Sequence, residues 1–420
     1  MGDVLSGDSS IAFLIKSFPE FDHSAPLIVE LSSSKKVYVV PLYPFDLVRQ
    51  NPFYKKIKSI SKFEEIEISN HFPIVYRLVS WIYTIAMSRR WKGAYRLESL
   101  LHRWTKKFLN KSNCFKFFEK MKTEQRVQTC VFHTGNEVLG DFAKSCRKLD
   151  IKTALMAHAV HMFKNRLLWN YQLKVGKTQK VSDQSFYNEM DMILMPDALS
   201  AQNLIESGVR GEKVKICGSP RFSHEWIARF DEIFPMASKT RIRKRILFFL
   251  TKEDSGVFVE EVDRTIQYLS DLGSVDLVLK VHPRMDTRKY GNLKNVKMAT
   301  HFEHSSSLIR EADLVLFLDS SIVFDSFLRK VPSAWLSYSV VNDLVFDEGE
   351  GPVKLKTRDD FVHLIDSLVG DQLPIGTIVE SGEKAVRKFT TVNGKSPIRQ
   401  FIGHLFGEVE LAENQRGREL

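Results

Sequence analysis

The sequence lacks a long apolar run and a cysteine pattern that would hold a disulfide framework or a zinc ion. None of its 420 residues lie in an apolar stretch near the ~20 residues that a membrane-spanning helix needs. The cysteines are Cys114, Cys130, Cys146 and Cys217. Because they show neither C-x-x-C pairing nor zinc-ligand spacing, we expect reduced thiols. The first apolar run follows no basic residues, so it is not typical of a secretory signal.

Several compact catalytic signatures are also missing. The sequence contains no P-loop, no G-x-G-x-x-G, no G-x-S-x-G, no H-E-x-x-H and no EF-hand loop. Their absence argues against nucleotide hydrolysis on a Walker fold and against serine hydrolysis on an α/β-hydrolase fold. It also leaves no pattern for a bound metal or a resident cofactor, and we expect neither.

Positive charge is in excess, and it is concentrated in one segment. The formal net charge is +10 and the isoelectric point is near 9.2, which favours an anionic partner such as a phosphorylated substrate or a membrane surface. Residues 54–126 hold 17 Lys and Arg against 6 Asp and Glu, an excess of 11 positive charges. This segment therefore accounts for the whole excess, and the rest of the chain is close to neutral.

The middle of this basic segment combines apolar and aromatic residues with the charge. Residues 72–87 are nearly all apolar, and residues 88–111 are basic and carry Trp91, Tyr95 and Trp104. Such a composition is typical of helices that lie on an anionic membrane surface, with aromatic rings at the headgroups. The alternative is a helical insertion that packs on its domain with a solvated basic face. No RNA-binding signature accompanies the segment, so we expect no nucleic-acid partner.

Strand-like apolar runs alternate with amphipathic helical segments along the chain. Residues 11–15 and 36–43 are typical of strands, and helical spacing lies between them. The alternation continues to a final helix at 396–407 and predicts a doubly wound α/β fold with parallel sheets. Within it, TRDDFVHLIDSLVG has the acidic first turn and the Thr357 cap of a helix start.

A polar, basic stretch without apolar periodicity at 231–245 marks a predicted domain boundary. We expect a Rossmann-like domain over 1–235, with residues 54–126 as its basic helical insertion. A second Rossmann-like domain is expected over 236–390, and residues 391–420 form a C-terminal helix and a polar tail. Two such domains leave a cleft, and ligands of such sheets bind outside the C-terminal ends of the strands.

The segment VLKVHPR places basic side chains at the end of an apolar strand. Lys280, His282 and Arg284 supply donors for phosphate oxygens. Pro283 favours an extended backbone at His282 and removes a ladder donor, so His282 is predicted at the rim of the sheet. The alternative is a structural histidine with solvent-exposed neighbours.

A second segment, LFLDSSIVFDSFL, also places polar side chains at the end of an apolar strand. The apolar strand 314–318 ends at Asp319, and Ser320 and Ser321 are predicted to open a helix. Hydroxyls and free backbone N–H groups at a helix start bind anions, although ordinary N-capping uses the same residues. Asp325, one turn into the helix, is either an acceptor for a ribose or sugar hydroxyl or a surface carboxylate.

Two further strand ends carry candidate groups. In ICGSPRF, Gly218 and Pro220 shape a turn from which Arg221 projects, either into the cleft or to solvent. In LMAHAVHMF, His158 and His161 leave a strand of the first domain, and an imidazole has a pKa suited to a general base for an acceptor hydroxyl. The alternative for each histidine, taken singly, is a place in the core or at the rim.

The order of these motifs resembles glycosyltransferases of the GT-B fold. The run from AHAVH through DMILMPD, VKICGSPRF and VLKVHPR to ADLVLFLDSSIVFDSFLRKVP and VNGKSPIRQFIGHLF is most similar to the CDP-glycerol glycerophosphotransferase group. Bacterial polysialyltransferases and capsule Kdo transferases, which use CMP-sugars, carry a similar HP and paired-Ser arrangement. The resemblance covers residues 128–405 and implies an α/β GT-B fold, in which two Rossmann-like domains face a cleft.

The resemblance also implies roles for individual residues. It implies that the phosphates or ribose of a CMP- or CDP-linked donor are contacted by His282, Ser320, Ser321 and Asp325. Gly218 and Arg221 match a Gly-x-Pro-Arg turn near the diphosphate. Family members commonly have His-Gly where this chain has His158-Ala159, which leaves His161 as a competing base.

These observations predict a transferase that moves a glycosyl or glycerophosphate group from a cytidine-activated donor to a hydroxyl of a bacterial surface polysaccharide or lipid-linked acceptor. Cations of the second domain would stabilise the nucleotide's charge, and a first-domain histidine would take the acceptor proton, without a metal. One alternative is a UDP-sugar transferase or an epimerase on the same fold. Another is an inactive GT-B-like scaffold in a polysaccharide assembly complex. We expect a cytoplasmic protein, attached peripherally to the inner membrane through residues 72–111.

Overall fold

Two compact units make up the chain in the computed structural model. The structure describes residues 10–42, 46–68, 82, 85, 111–134, 139–157, 159–164, 183–236, 242–282, 285 and 290–407. The first unit holds the described parts of residues 1–159, 182–221 and 395–420, and the second unit holds those of residues 160–181 and 222–394. Each unit is built on one parallel β-sheet.

The sheet of the first unit has seven strands within the described ranges. They are β1 (Ser10–Ile15), β2 (Lys36–Pro41), β3 (Glu64–Glu65), β4 (Val127–His133), β5 (Lys152–Met156), β6 (Met192–Met195) and β7 (Val214–Ile216). Their order is β3-β2-β1-β4-β5-β6-β7, so the chain builds outward from β1 and then continues on its other side at β4. Every residue of β1 is buried, as expected of a central parallel strand with helices on both faces.

The sheet of the second unit has six parallel strands among the described residues. They are β8 (Lys244–Phe249), β9 (Val275–Lys280), β10 (Val296–Met298), β11 (Leu314–Phe317), β12 (Ser333–Leu336) and β13 (Val353–Leu355). Their order is β10-β9-β8-β11-β12-β13. This sheet therefore repeats the doubly wound plan of the first, with β8 as the strand from which the chain builds in both directions.

Helices connect the strands and cover the sheets. In chain order they are α1 (Phe18–Leu31), α2 (Asp46–Gln50), α3 (Pro52–Ser61), α4 (Lys111–Gln125), α5 (Leu139–Lys148), α6 (Ala198–Glu206), α7 (His224–Ile233), α8 (Val259–Asp271), α9 (Ser305–Arg310), α10 (Val323–Leu328), α11 (Arg358–Val369), α12 (Ile375–Phe389) and α13 (Pro397–Phe406). In the first unit, α4 and α5 share an apolar core with Ala12 and Leu14. Since side chains alternate along a strand, α1, which contacts β1 and takes no part in that core, covers the other face.

The last helix returns to the first unit. The Lys152 ammonium group at the start of β5 donates to the carbonyls of His404 and Leu405 at 3.2 and 2.6 Å. On the same helix, the Phe406 ring lies 4.3 Å from the Lys35 ammonium group. Both cations lie at the negative end of the α13 dipole, and Lys152 satisfies two of its last carbonyls.

The unit boundaries differ from the predicted domains. The sequence placed the boundary between residues 235 and 236, whereas the structure separates the units between Arg221 and Phe222. The reason is α7, which follows this point and pairs with helices of the second unit through Asp231. The predicted separate C-terminal segment, 391–420, contributes α13 to the first unit.

The predicted basic insertion falls largely outside the described residues. Its ends are described, and they form α3 and α4. Residues 69–110, apart from 82 and 85, are outside the described ranges, and so is most of the segment expected to contact a membrane. Among the described helices, none combines the length and the apolar character that crossing a bilayer requires.

Two glycines of α12 allow a paired stability prediction. A Cβ at Gly382 would lie 2.7 Å from Cδ1 of Phe327, which is too close, whereas a Cβ at Gly376 would meet nothing within 4 Å. Alanine favours a helix over glycine by about 1 kcal/mol, but overpacking a core costs about 1–3 kcal/mol. We therefore expect Gly382→Ala to lower the free energy of unfolding and Gly376→Ala to leave it equal or raise it slightly, as measured by urea titration. Equal effects of the two substitutions would contradict the close packing of α12 on α10.

Candidate functional site

Three neighbouring strands of the second unit end in register. Lys280 of β9 pairs with Phe249 of β8, and Phe249 pairs with Phe317 of β11. The residues two positions beyond this row are His282, Thr251 and Asp319. Neighbouring strands lie about 4.8 Å apart, so the outer two backbones of this second row are separated by about 10 Å.

The strand order reverses at this same edge. From β8 the sheet continues through β9 on one side and through β11 on the other. In open parallel sheets, ligands bind outside the C-terminal ends of the strands at such a switch point. The ends of β8 and β11 therefore define the place in the second unit that best accommodates a ligand.

The loop that leaves β8 begins with two polar residues that sequence analysis missed. Thr251 and Lys252 follow the apolar β8 strand directly, and both are partly exposed. The loop is fixed further along, where the Gly256 carbonyl accepts from the Val341 amide at 2.8 Å. The signal was available, because these residues end an apolar strand in the same way as Asp319 does.

Asp319 is the titratable group at the β11 end of this row. Enclosure by the surrounding protein raises the pKa of its carboxyl group to about 6, whereas a hydrogen bond with Thr251 and the charge of Lys252 act to lower it. Below pH 6 the group is mainly protonated and can donate a hydrogen bond, and above pH 6 it is mainly an anion. Phosphate binding beside it should therefore depend on pH.

The paired serines lie in a turn before the helix. The sequence predicted that they open it, but α10 begins at Val323. The amides of Val323 and Phe324 donate to the carbonyls of Ser320 and Ser321 at 3.3 and 3.1 Å. The Ile322 amide donates to the Ser320 hydroxyl oxygen at 3.4 Å. Because the amides of residues 322–324 are used inside the turn, the groups that can contribute to anion binding here are the serine hydroxyl protons and the Ser320 and Ser321 amides. Both serines are partly exposed.

The ammonium group of Lys280 is used largely inside the protein. It donates to the carbonyls of Thr300 and Glu303 at 2.6 and 2.7 Å. Burial lowers the pKa of Lys280 to about 8, against the charge of Glu303, which raises it. Lys280 therefore ties the end of β9 to the 300–303 turn, with one proton left for other partners.

His282 lies at the rim of the sheet, as its sequence context predicts. It is partly exposed, and its carbonyl accepts from the Met285 amide at 2.9 Å. Pro283 and Arg284 lie outside the described residues. The contact of His282 with a phosphate stays a prediction.

Asp325 is placed differently from the expected surface or ligand carboxylate. It is completely buried, and its oxygens accept from Ser306 and from Nε of Arg329, the latter at 2.6 Å. A carboxylate with no accessible surface has no oxygen to offer to a ribose in this conformation. Its geometry therefore favours an internal role.

Gly218 and Arg221 belong to the first unit. Gly218 has φ +79°, a left-handed conformation that favours glycine, just after β7. Arg221 does not project from the turn, because its side chain is 1% exposed and its Nε lies 2.9 Å from the Asp22 carboxylate of α1. A buried ion pair explains this arginine without a ligand, so the structure corrects the expectation that it points away from the turn.

Of the two candidate histidines, His161 lies within the described residues. His158 lies outside the described residues. His161 is grouped with the second unit, where the following Phe163 forms an antiparallel bridge with Leu344. This placement differs from the expected first-domain position, and a role for either histidine as a base stays a prediction.

The described histidine at the C-terminal edge of the first sheet is His133, at the end of β4. Its Nε2 lies 2.8 Å from Oγ of Ser24 in α1, and both residues are buried. Nearby in the chain, the Glu20 carboxylate accepts from the Lys16 amide at 2.7 Å, and burial raises the pKa of Glu20. These bonds hold the start of α1 at the β1–β4 switch point, and sequence analysis did not single them out.

Comparisons with known proteins identify the fold. No protein-family model and no curated protein matches the sequence. Solved structures do match over nearly the whole chain. MnaA of S. aureus with UDP has 13% identity and a TM-score of 0.56, covering 96% of this chain and 97% of that one. The UDP-GlcNAc 2-epimerase of Neisseria meningitidis bound to UDP-GlcNAc has 14% identity and a TM-score of 0.53, covering 93% and 95%. The glycotransferase of kitacinnamycin has 12% identity and a TM-score of 0.53, covering 94% and 98%.

This chain has the GT-B fold. Its two doubly wound units, with seven and six parallel strands among the described residues, share the fold of those proteins over nearly the whole chain. The predicted α/β fold class and the GT-B resemblance are therefore confirmed at the level of the fold. The finer resemblance to cytidine-dependent transferases receives no support from these structures, two of which contain UDP or a UDP-sugar.

Metal ligands are not grouped in the described part of this GT-B chain. Within those residues, no cluster of three or more His, Cys, Asp and Glu side chains is suited to hold a metal ion. The groups at the second-unit edge are instead a lysine, hydroxyls and one acid with a raised pKa. Such groups can bind an anion directly.

Replacing Asp319 by Asn should change the pH dependence of stability. Because its folded pKa is raised from 3.8 to about 6, its contribution is present below pH 4 and is lost as the pH rises through 6. We expect Asp319→Asn to gain about 1–3 kcal/mol of unfolding free energy relative to wild type between pH 4.5 and pH 7.5. Urea titrations at both values measure this. A constant difference between the two proteins would show that Asp319 ionises normally.

Proposed function

We propose that the protein is an enzyme that acts on a UDP-activated sugar, whose diphosphate binds at the C-terminal edge of the second sheet. The observation that carries this proposal is the row formed by the ends of β9, β8 and β11. It brings the end of β8, which Thr251 and Lys252 follow, next to the end of β11, which Asp319 and the Ser320–Ser321 turn follow, at a switch point. The GT-B fold supports the choice of ligand class.

The chemistry of this edge fits a diphosphate. Lys252 supplies positive charge, and the hydroxyls of Ser320 and Ser321 can donate to phosphate oxygens. Asp319, which is hydrogen-bonded to Thr251, adds a donor only below about pH 6, where its carboxyl group is mainly protonated. His282 extends the row on the other side of β8, where its imidazole can donate to the same group. A negative charge that grows on the departing diphosphate would be stabilised by these preorganised donors.

The uridine nucleotide is preferred over cytidine on the basis of the similar structures. The S. aureus and N. meningitidis proteins were solved with UDP and with UDP-GlcNAc. This favours the UDP-sugar alternative considered from the sequence over the CMP- or CDP-linked donor. A polysaccharide or lipid-linked acceptor has no corresponding observation and stays a prediction.

Nucleotide selectivity tests the site. We expect UDP to raise the thermal midpoint more than CMP, CDP, GDP or ADP, because a ligand that binds only the folded state stabilises it by mass action. Lys252→Met should weaken UDP binding about tenfold through loss of a charged donor. A thermal-shift assay measures the midpoints, and titration calorimetry measures the affinity for UDP. Lys330→Met, which removes an exposed lysine after α10, is the matched control and should bind as wild type does.

Three results of this titration would count against the proposal. Preferential binding of CMP or CDP would restore the cytidine donor. Equal UDP affinity in Lys252→Met would move the diphosphate away from the β8 loop. The absence of any nucleotide binding would favour the inactive scaffold.

Product analysis separates transfer from epimerisation. Purified protein with UDP-GlcNAc alone should yield an isomeric sugar or sugar nucleotide if it is an epimerase, and nuclear magnetic resonance would detect it. A transferase should release UDP at a substantial rate only when an acceptor hydroxyl is added. Unchanged UDP-GlcNAc under both conditions would require a different UDP-sugar.

Membrane attachment through residues 72–111 is a separate proposal. The charge of this segment predicts binding to vesicles with anionic lipid and weaker binding to neutral ones. Vesicle co-sedimentation at low and high salt measures this. Equal binding to both vesicle types, or none, would contradict it, with no consequence for the nucleotide site.

A further inference from the structure

A buried charge network joins three helices of the second unit. Asp325 of α10 accepts from Ser306 of α9 and from Nε of Arg329, which follows α10 directly. Arg329 Nη1 also lies 2.9 Å from each carboxylate oxygen of Asp231 on α7. Arg310 of α9 donates to that same carboxylate at 3.1 Å. Two aspartates and two arginines thus form one continuous set of ion pairs.

An aromatic ring helps to fix this network. Phe230, next to Asp231 in α7, has the guanidinium groups of Arg310 and Arg329 each 5.5 Å from its ring centre. The His304 ring lies 5.0 Å from the same centre. Because guanidinium groups are planar and their donors are directional, these contacts leave α10 little freedom to rotate or slide.

The network is connected to the serine turn by short backbone bonds. The Asp325 amide donates to the Ile322 carbonyl at 2.9 Å. The two preceding amides donate to Ser321 and Ser320, so consecutive bonds wind the chain from Ser320 to Asp325. A shift of Asp325 would therefore move the hydroxyls at the end of β11. Its side chain has no accessible surface with which to reach a ligand itself.

We propose that Asp325, Arg329 and Asp231 are positioning residues that set the geometry of the Asp319–Ser321 turn for a nucleotide. For its ligand this inference rests on the function proposed above. Asp231 lies on α7, the first helix after the chain enters the second unit at Phe222. The network therefore links that entry helix to the turn, and Asp325 acts through the turn without touching the ribose.

Stability alone is a weak reason to keep such a network. Burying charges removes them from water, and apolar residues of similar volume often stabilise a core equally well. Directional pairing, in contrast, holds a helix in one orientation that apolar packing specifies less sharply. The test should therefore measure how firmly the Asp319–Ser321 turn is held, and not only the stability of the protein.

Two isosteric variants and one control test the proposal. Asp325→Asn removes the charge that Arg329 Nε faces, and Asp231→Asn loosens Arg329 from its partly exposed end, where folding is less at risk. Asp197→Asn is the control, since Asp197 is a buried carboxylate that caps α6 in the first unit and accepts from the Ser200 amide at 2.8 Å. For each variant, hydrogen exchange of amides 319–324 is measured without nucleotide. The dissociation constant of UDP is measured well below the unfolding temperature.

We expect both network variants to accelerate exchange in the turn about fivefold and to weaken UDP binding about tenfold, because a loosened site must be ordered by its ligand. Asp197→Asn should change neither. If Asp325→Asn does not fold, the exchange rates and the UDP affinity of Asp231→Asn test the proposal. Wild-type exchange rates in the network variants would overturn the proposal. So would faster exchange with unchanged UDP affinity.

Asp325→Asn could lose UDP binding while its turn exchanges at the wild-type rate and Asp231→Asn binds UDP normally. That result would indicate that Asp325 contacts the nucleotide directly, and it would also overturn the positioning role. A wild-type protein that binds no nucleotide would defeat the proposed function. The exchange rates of the turn would still show whether the network holds it.

Discussion

Parallel pairing of β8 with both β9 and β11 is the constraint on which the candidate site depends. It places the residues after Lys280, Phe249 and Phe317 in one row at one edge of the sheet. The apolar strands must be buried, so the polar residues that follow them are carried to that edge together. The enclosed carboxyl group of Asp319, with its raised pKa, is a direct consequence of this arrangement.

Within each unit, buried charges matter more than surface ones. Removing one partner of a buried ion pair costs about 3–5 kcal/mol, whereas an exposed pair contributes about 0–1 kcal/mol. Arg221 with Asp22, and Arg329 with Asp325, are therefore the pairs that fix helices, while Lys164 with Asp347 lies at the surface and adds little. The strongly held positions are those of α1 in the first unit and α10 in the second.

Much of the fold could be predicted from local sequence. Apolar runs predicted β1 and β2 to within a few residues, and Thr357 with its acidic first turn predicted α11, where its hydroxyl accepts from the Asp360 amide at 3.1 Å. These signals are local, because each depends on residues a few positions apart. The alternation of strands and helices predicted the doubly wound plan, and the resemblance of the motif order to glycosyltransferases implied the GT-B fold.

The site was harder to predict because partners distant in sequence decide it. Nothing near Arg221 shows that Asp22, some 200 positions earlier in the chain, is its ion-pair partner. Likewise, Asp325 is exposed or buried according to where α7 and α9 lie. Lys280 was correctly placed at a strand end, but the carbonyls of Thr300 and Glu303 that occupy it come from a later turn.

A crystal structure of the protein with UDP tests the central claim most directly. The account predicts the diphosphate at the ends of β8 and β11, in hydrogen-bond contact with Lys252 and with a hydroxyl of Ser320 or Ser321. It further predicts that Asp325 remains buried against Arg329. A diphosphate bound at the edge of the first sheet, or one that leaves Thr251, Lys252 and Asp319 without contact, would contradict it.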